Sequence, residues 1–426
     1  MLGFIAFWVV TAGMPIVLKG KSSFLTNNTD VSSTGPEEIQ DVDSGYYVAL
    51  VEIGEEEENF DLVLSLNSSW TTVPGAECDC HNVSNKLEPD NDEEKDISDG
   101  TFEVGYGKGY FSGSSVKDIM EIGDFVIRKQ EFLLYTKDER LEDLAGDGVL
   151  ALSPTQVSNC STNFILNMHS QGLIPSPKFS LYLSQSSDSY LLFNESSWLI
   201  KDPNKNHTLS LKTLSSAWVF NASKISYDDY IKNITSQVFL MVELSSIQGP
   251  YEDISKFLKL ISENKDCTNG KYLTCSCNEN SINSFPNFTI EIQGHRFKIT
   301  SKNYIQFSNS KCKVLFEGRQ DEYWALGIPF FYEYYSVFDL DTKKVTFYRN
   351  SLEDDDQDNE DIKDPDGKAE DNSQGQGDEK KNMYWKYILM IIGICIIFAI
   401  IGCLIYVYFR KKKEQERDMD YIRMQR

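Results

Sequence analysis

Residues 60–74 read F-D-L-V-L-S-L-N-S-S-W-T-T-V-P, a short apolar run followed by small polar residues. Asp61–Leu66 is rich in residues that favour an extended chain, and this predicts a β-strand. Similar runs recur between Asp41 and Asn350, separated by Gly, Asn, Asp and Ser. We therefore predict an all-β fold for this part of the chain.

Other predicted strands flank this stretch on both sides, and helical patterning is brief. Tyr251–Ile261 carries apolar residues at helical spacing, and this predicts a helix. The segment 41–350 exceeds one ordinary β-sandwich, so we expect two β lobes, 41–186 and 187–350. The boundary between the lobes is expected near Ser184–Asn194. The other predicted strands are Tyr46–Ile53, Phe102–Tyr106, Lys178–Leu183, Tyr190–Phe193, Thr208–Leu214 and Lys344–Tyr348.

The composition excludes several classes of function. Lys and Arg number 41 against 65 Asp and Glu, a net charge of -24, which disfavours binding to nucleic acid. The chain has 4 His, with no pair at the helical spacing of metal ligands. We expect no metal and no cofactor, so any chemistry must come from carboxylates, hydroxyls or thiols.

Two apolar segments indicate a secreted or membrane-anchored protein. The uncharged stretch Leu2–Leu18 predicts a signal peptide at 1–18, the alternative being a second transmembrane helix. Tyr387–Phe409 also lacks charge, and basic residues follow at Arg410–Lys413. This predicts a single transmembrane helix at 385–409 and a type I topology. The protein is then expected in the secretory or endolysosomal pathway or at the cell surface.

The regions around the predicted span suggest further features. Residues 351–384 are highly acidic and contain little apolar surface, so we expect a disordered stalk. A second acidic insert, Glu88–Asp99, is expected to form a surface loop. In the predicted cytoplasmic tail, 410–426, Tyr421 and Met424 fit the Y-x-x-Φ pattern that sorting adaptors bind, although an ordinary solvated tail is the alternative. Of the Asn-x-Ser/Thr sequons, we expect glycans at Asn82, Asn194, Asn206, Asn221, Asn233 and Asn287.

Taken in order, these segments resemble the pepsin-like aspartic peptidases over nearly the whole segment 41–350. The resemblance implies a bilobal fold of two six-stranded-type β lobes with a central cleft. It also implies a flap hairpin with Tyr106 at the position of the flap tyrosine and Gly107 beside it. The matching segments are Tyr46–Gly54 (opening strand), 60–74 (first catalytic strand and loop), Phe102–Gly113 (flap), Gln237–Pro250 (second catalytic strand and loop) and Tyr323–Asp339 (closing segment).

This family cleaves peptides with two aspartates, one from each lobe, that share a proton. Here Ser65-Leu66-Asn67-Ser68 replaces the D-T-G-S motif, so Ser65 takes the first aspartate position, with Ser68 nearby. Met241 takes the second aspartate position, and Glu243 lies two residues further on, which we expect to be the wrong part of the loop. A realignment by one gap would bring Glu243 closer, but without a partner from the first lobe. Thr72 replaces the tryptophan that bonds the flap tyrosine. We therefore predict no pepsin-like catalysis.

Seven cysteines precede the predicted span, which leaves one without an intramolecular partner. The resemblance implies a disulfide between Cys275 and Cys312 in the second lobe. The C-x-C pairs Cys78/Cys80 and Cys275/Cys277 suit either metal ligation or disulfides, and the oxidising compartment favours disulfides.

Three functions remain open. The first is a membrane-anchored, inactive relative that binds peptide or protein in its cleft. The second is an active aspartic-type endopeptidase with an unconventional pair of catalytic groups. The third is a structural or adhesion ectodomain with a vestigial cleft. The missing carboxylates argue against the second, and the retained flap and Tyr106 argue against the third.

Overall fold

The computed structural model describes most of the segment 45–350 and one earlier strand. The described residues all lie within the unit Met1–Asp355. They are 16–22, 45–54, 57–81, 83–88, 96–142, 144–154, 163–185, 188–193, 199–200, 202–203, 205–211 and 215–350.

The first lobe and the region between the lobes are built almost entirely of strands. One short helix, α1 (Phe164–Ser170), interrupts them, and Asn163 caps it by accepting from the backbone N–H groups of Ile165 and Leu166. The strands are β1 (Ile16–Ser22), β2 (Gly45–Ile53), β3 (Glu58–Ser65), β4 (Thr72–Asp79), β5 (Asp96–Tyr106), β6 (Gly109–Ile122), β7 (Phe125–Glu139), β8 (Gly148–Ala151), β9 (Lys178–Tyr182), β10 (Ser189–Leu192) and β11 (Asn206–Ser210).

The second lobe adds more strands and three of the helices. The predicted helix is confirmed and runs slightly longer than expected, as α2 (Tyr251–Asn264). The other helical segments are α3 (Ser301–Tyr304), α4 (Ile328–Glu333) and a 3₁₀ helix at Glu279–Ser284. The strands are β12 (Val219–Tyr227), β13 (Tyr230–Leu240), β14 (Ile247–Pro250), β15 (Cys267–Thr268), β16 (Thr274–Ser276), β17 (Phe288–Ile292), β18 (His295–Ile299), β19 (Ile305–Ser308), β20 (Lys311–Val314), β21 (Phe316–Arg319), β22 (Trp324–Leu326), β23 (Tyr334–Asp339) and β24 (Lys344–Arg349).

The mostly β class is confirmed, but the sheets are not two six-stranded units. Thirteen strands form one sheet in the order β11-β24-β23-β9-β10-β1-β2-β3-β8-β4-β7-β6-β5. The physical reason is β1, which pairs antiparallel with both β10 and β2 and so joins the strands between the lobes to those of the first lobe. The second lobe has a seven-stranded sheet, β18-β17-β12-β13-β22-β14-β21, and a four-stranded sheet, β15-β16-β20-β19.

Two sequence-based boundaries shift in the structure. β1 begins at Ile16, so it includes the last three residues assigned to the signal peptide 1–18. If the mature chain keeps all of β1, the signal peptide must end before Ile16. The end of the expected surface loop Glu88–Asp99 is strand instead, because β5 begins at Asp96 and pairs with β6.

The hydrophobic core is continuous across the two lobes. Phe179 of β9 stacks on Phe338 of β23 with their ring centroids 4.6 Å apart, and Trp218 packs edge-on against Phe338. The indole Nε1 of Trp218 donates to the backbone oxygen of Leu152 at 3.0 Å. All of these side chains are fully buried, so this contact holds the two lobes in a fixed relative position.

The disulfide predicted between Cys275 and Cys312 is wrong. These two residues face each other in the ladder between β16 and β20, but Cys275 bonds Cys267 and Cys312 bonds Cys277. Cys275 has a second cysteine opposite it on its other side, because β15 pairs Cys267 with it. Cys78 and Cys80 are adjacent in space, with their Cα atoms 5.2 Å apart, and a disulfide between them stays a prediction.

No helix among the described residues is long and apolar enough to cross a membrane. The predicted stalk, span and tail at 351–426 lie outside the described residues.

Candidate functional site

Ser65 is the last residue of β3 and lies in the middle of the large sheet. β3 runs parallel to β8, where Ser65 is level with Ala151, and the amide of Leu152 donates to the Ser65 backbone oxygen at 2.8 Å. The Ser65 hydroxyl Oγ accepts hydrogen bonds from the backbone N–H groups of Asn67 (3.3 Å) and Ser68 (3.0 Å). Ser65 therefore closes the turn that follows its own strand.

The second lobe presents a turn of its own after β13. Met241 donates its backbone N–H to Leu326, and its carbonyl accepts from Leu244, so residues 241–244 form a tight turn. Glu243 lies in this turn and extends its carboxyl group toward the first lobe. The Ser65 hydroxyl donates to Glu243 Oε1 at 3.2 Å. The expectation that Glu243 lies on the wrong part of the loop is thus wrong, because its longer side chain spans the distance to Ser65.

Asn67 completes this cross-lobe contact. Its amide Nδ2 donates to Glu243 Oε1 at 2.7 Å and to the backbone oxygen of Leu240 at 3.3 Å. Asn67 and Glu243 are each the third residue of their segment, Ser65-Leu66-Asn67 and Met241-Val242-Glu243. We call the three residues Ser65, Asn67 and Glu243 the cleft-floor cluster.

The hydroxyl of Ser65 has no hydrogen-bonding capacity left for chemistry. A serine hydroxyl has one donor and two acceptor sites. Its proton goes to Glu243, and its two acceptor sites are used by the amides of Asn67 and Ser68. Ser65 is therefore a structural link between the lobes in this arrangement.

The environment of the cluster shifts the pKa of the Glu243 carboxyl group. Burial raises the pKa of Glu243 above its usual range, while hydrogen bonds from Asn67, the backbone and Ser65 act in the opposite direction. Its second oxygen, Oε2, is buried and has no hydrogen-bond partner among the described residues.

Tyr106 ends the first strand of the flap hairpin. β5 and β6 pair up to Tyr106 and Gly109, which leaves Gly107 and Lys108 as a two-residue turn. Gly107 has φ +56°, as expected for the first position of a hairpin turn that favours glycine. The Tyr106 hydroxyl is buried without a hydrogen-bond partner in the part of the chain that the structure describes. Burial raises its pKa well above its usual value, and the nearby charges of Glu243 and Tyr46 add to this.

The side chains of Thr72 and Ser68 both form hydrogen bonds with backbone groups. Thr72 is fully buried, and its Oγ1 accepts from the amide of Val149 at 3.1 Å. The Ser68 hydroxyl donates to the Trp70 backbone oxygen at 2.8 Å. Trp70 is buried in the small apolar cluster against which Tyr106 packs.

Sequence reasoning missed the role of Asn67. The sequence contains a signal for this role. Asn67 takes the glycine position of the family's D-T-G-S motif, so it places a polar side chain where the motif has none. Asn67 also begins a sequon, but the nitrogen that would carry a glycan is used in the cleft-floor cluster.

The other predicted sites are only partly covered by the structure. Four predicted glycosylation positions have exposed side chains: Asn206, Asn221, Asn233 and Asn287. Asn82, Asn194, Tyr421 and Met424 lie outside the described residues. Within the described ranges, no group of three or more His, Cys, Asp or Glu side chains is arranged to hold a metal ion.

Residues 46–349 match the family model described as eukaryotic aspartyl protease. The chain belongs to this family. It is 28% identical to cathepsin D of Dictyostelium discoideum over 333 residues, which covers 72% of this chain and 84% of that protein. It is 26% identical to pepsin A of Bos taurus over 319 residues, covering 70% of this chain and 82% of that protein. Pregnancy-associated glycoprotein 4 of Ovis aries is similar at 26% identity over 320 residues, with 72% and 82% covered.

Proposed function

We propose that this protein is a catalytically inactive, membrane-anchored member of the aspartyl protease family that binds an extended peptide or protein segment in its cleft. The observation that carries the proposal is the saturated hydroxyl of Ser65. The pepsin-like mechanism needs two carboxyl groups that share a proton, one to activate water and one to protonate the leaving amine. Ser65 supplies no carboxyl group, and its hydroxyl is fully used by Glu243, Asn67 and Ser68.

Binding does not require the missing carboxylates. An extended peptide is held in a cleft largely by strand-like hydrogen bonds to the backbone, with pockets for alternate side chains. The flap hairpin, with Tyr106 at its end, is retained and supports this role.

The decisive experiment is turnover of a peptide library by the purified full-length chain in detergent, at pH values from about 3 to 7. One positioned acid–base group contributes roughly 10² to 10⁴-fold to a rate, so without the pair we expect no cleavage above the buffer control. Binding of the same library is measured in parallel, and Tyr106→Ala is expected to weaken it. Cleavage that Tyr106→Ala abolishes would contradict the proposal.

One observation favours the second function, an active endopeptidase with an unconventional pair. Glu243 brings a carboxyl group to within hydrogen-bonding distance of Ser65, and burial raises its pKa. Cleavage lost in Glu243→Gln would identify this carboxyl group as a general acid or base. Met241, a thioether at the second aspartate position, supplies no proton and argues against this function.

The anchoring rests on the sequence. We propose a type I topology with one span at 385–409, residues 41–350 outside the cytosol, N-glycans on that side, and a tail whose Tyr421 and Met424 contact sorting adaptors. The charge-free span followed by Arg410–Lys413 supports this orientation. The exposed side chains of Asn206, Asn221, Asn233 and Asn287 are compatible with glycans.

A further inference from the structure

Two buried polar atoms of the cleft-floor cluster and the hydroxyl of the flap residue Tyr106 have no hydrogen-bond partners among the described residues. They are Glu243 Oε2, Asn67 Oδ1 and the Tyr106 hydroxyl. Glu243 and Asn67 contact each other directly, and the charge of Glu243 acts on Tyr106. Leaving a buried polar atom unpaired costs about 1–3 kcal/mol, so the unpaired atoms of the neighbouring residues Glu243 and Asn67 indicate an incomplete site.

The unpaired groups share one chemical need. Asn67 uses its amide nitrogen on Glu243 Oε1 and on the Leu240 carbonyl, so its free atom is an acceptor. The Ser65 hydroxyl already donates its single hydrogen bond to Glu243 Oε1, so it cannot donate to Oε2. The floor therefore has two acceptors, Glu243 Oε2 and Asn67 Oδ1, that lack donors. The Tyr106 hydroxyl can fill either role.

Only some ligand groups meet that need. A lysine ammonium supplies three donors and an arginine guanidinium five, and neither has an acceptor that would compete for them. A cation also pairs with the charge of Glu243 when this carboxyl group is ionised, and the ring of Tyr106 offers a further favourable contact. An acidic or purely apolar side chain would leave both acceptors unpaired. The net charge of -24 favours the approach of basic peptides.

We propose that the cleft floor is a subsite for a lysine or arginine side chain of the bound peptide, which donates to Glu243 Oε2 and Asn67 Oδ1. This inference rests on the proposed function, because it names the peptide class that the cleft selects.

The test uses the full chain in detergent and a fluorescent decapeptide library in which one position at a time is Lys, Arg, norleucine or Glu. Hydrogen bonds to a charged group contribute about 1.5–3 kcal/mol, so at one position Lys or Arg should bind at least about tenfold more tightly than norleucine. Glu243→Gln should reduce this preference to about threefold or less. Glu252→Gln is the matched control, because Glu252 is exposed on α2 and pairs with Lys256. It should keep the full preference.

Every other result of this experiment overturns a defined part of the inference. Equal binding of the Lys and norleucine peptides would mean that water or a protonated Glu243 already fills the hydrogen-bonding needs of Glu243 Oε2 and Asn67 Oδ1. This result would overturn the subsite but leave peptide binding intact. A basic preference that persists in Glu243→Gln would overturn the assignment to this residue. Binding of no peptide at all would overturn both the subsite and the proposed function. If Glu243→Gln does not fold, Asn67→Ala tests the same preference, and the wild-type comparison of Lys with norleucine stands without either variant.

Discussion

Ser65 is a hydrogen-bonded link between the two lobes. Its hydroxyl joins two turns from different lobes, since it accepts from the amides of Asn67 and Ser68 and donates to Glu243. Removing such a group leaves buried partners unpaired, and this costs more than the net value of the bonds themselves.

We therefore expect Ser65→Ala to lower the free energy of unfolding by about 2 kcal/mol, measured by urea denaturation. Ser255→Ala is the control, because the Ser255 hydroxyl is exposed on α2 and donates only to the preceding turn of its own helix. The control should change the free energy of unfolding by less than about 0.5 kcal/mol. Equal effects of the two variants would contradict a structural role for Ser65.

Glu243 should make stability depend on pH. Because burial raises its folded-state pKa above the unfolded value, its stabilising contribution is complete below the unfolded pKa and is lost as the pH rises through the folded pKa. Glutamine keeps the acceptor for Ser65 and Asn67 but carries no charge. The free energy of unfolding of Glu243→Gln minus that of wild type should therefore be larger at pH 7 than at pH 4. Thermal melts of both proteins across this range test the difference, and a difference that does not change with pH would contradict it.

At the scale of elements, the two disulfides of the four-stranded sheet differ in the length of chain they close. Cys277–Cys312 spans 35 residues and Cys267–Cys275 spans 8. The entropy of loop closure predicts a loss of about 4 kcal/mol without the first and about 2.5 kcal/mol without the second. Paired Cys→Ala variants, compared by chemical denaturation, measure this order. Peptide mapping that finds Cys275 joined to Cys312 would contradict the pairing.

The strands and the main helix were largely predictable, because periodic apolar runs such as those in β2, β3 and α2 depend on local sequence. The disulfide partners were not, because the C-x-C spacing leaves two candidates for Cys312, and Cys275, which the strand register places opposite Cys312, is already bonded to Cys267. Glu243 was misplaced for a similar reason. Counting along the chain finds the backbone position of the second aspartate, but the reach of a longer side chain across the cleft depends on how the lobes dock.

At the scale of the whole molecule, the two lobes act as one unit. Trp218 of the second lobe bonds Leu152 of the first, and the Tyr47 hydroxyl lies 3.1 Å from that of Tyr332. These contacts hold the turns of Ser65 and Glu243 together. The cleft therefore keeps a defined floor, which a binding function requires.

Glycan mapping tests both the topology and the cleft-floor cluster. If residues 41–350 face the lumen, the exposed Asn233 should carry a glycan, whereas Asn67 should not, because its Nδ2 donates to Glu243 and Leu240. Both positions are sequons in the same chain, so each controls for the other. Asn233→Gln should remove one glycan in a gel-shift assay, and Asn67→Gln should remove none. Absence of glycans from every sequon would contradict the proposed topology, because the acceptor enzyme acts only on the lumenal side. A glycan on Asn67 alone would instead contradict the cross-lobe hydrogen bond, since a glycosylated nitrogen retains only one proton and cannot donate to both partners.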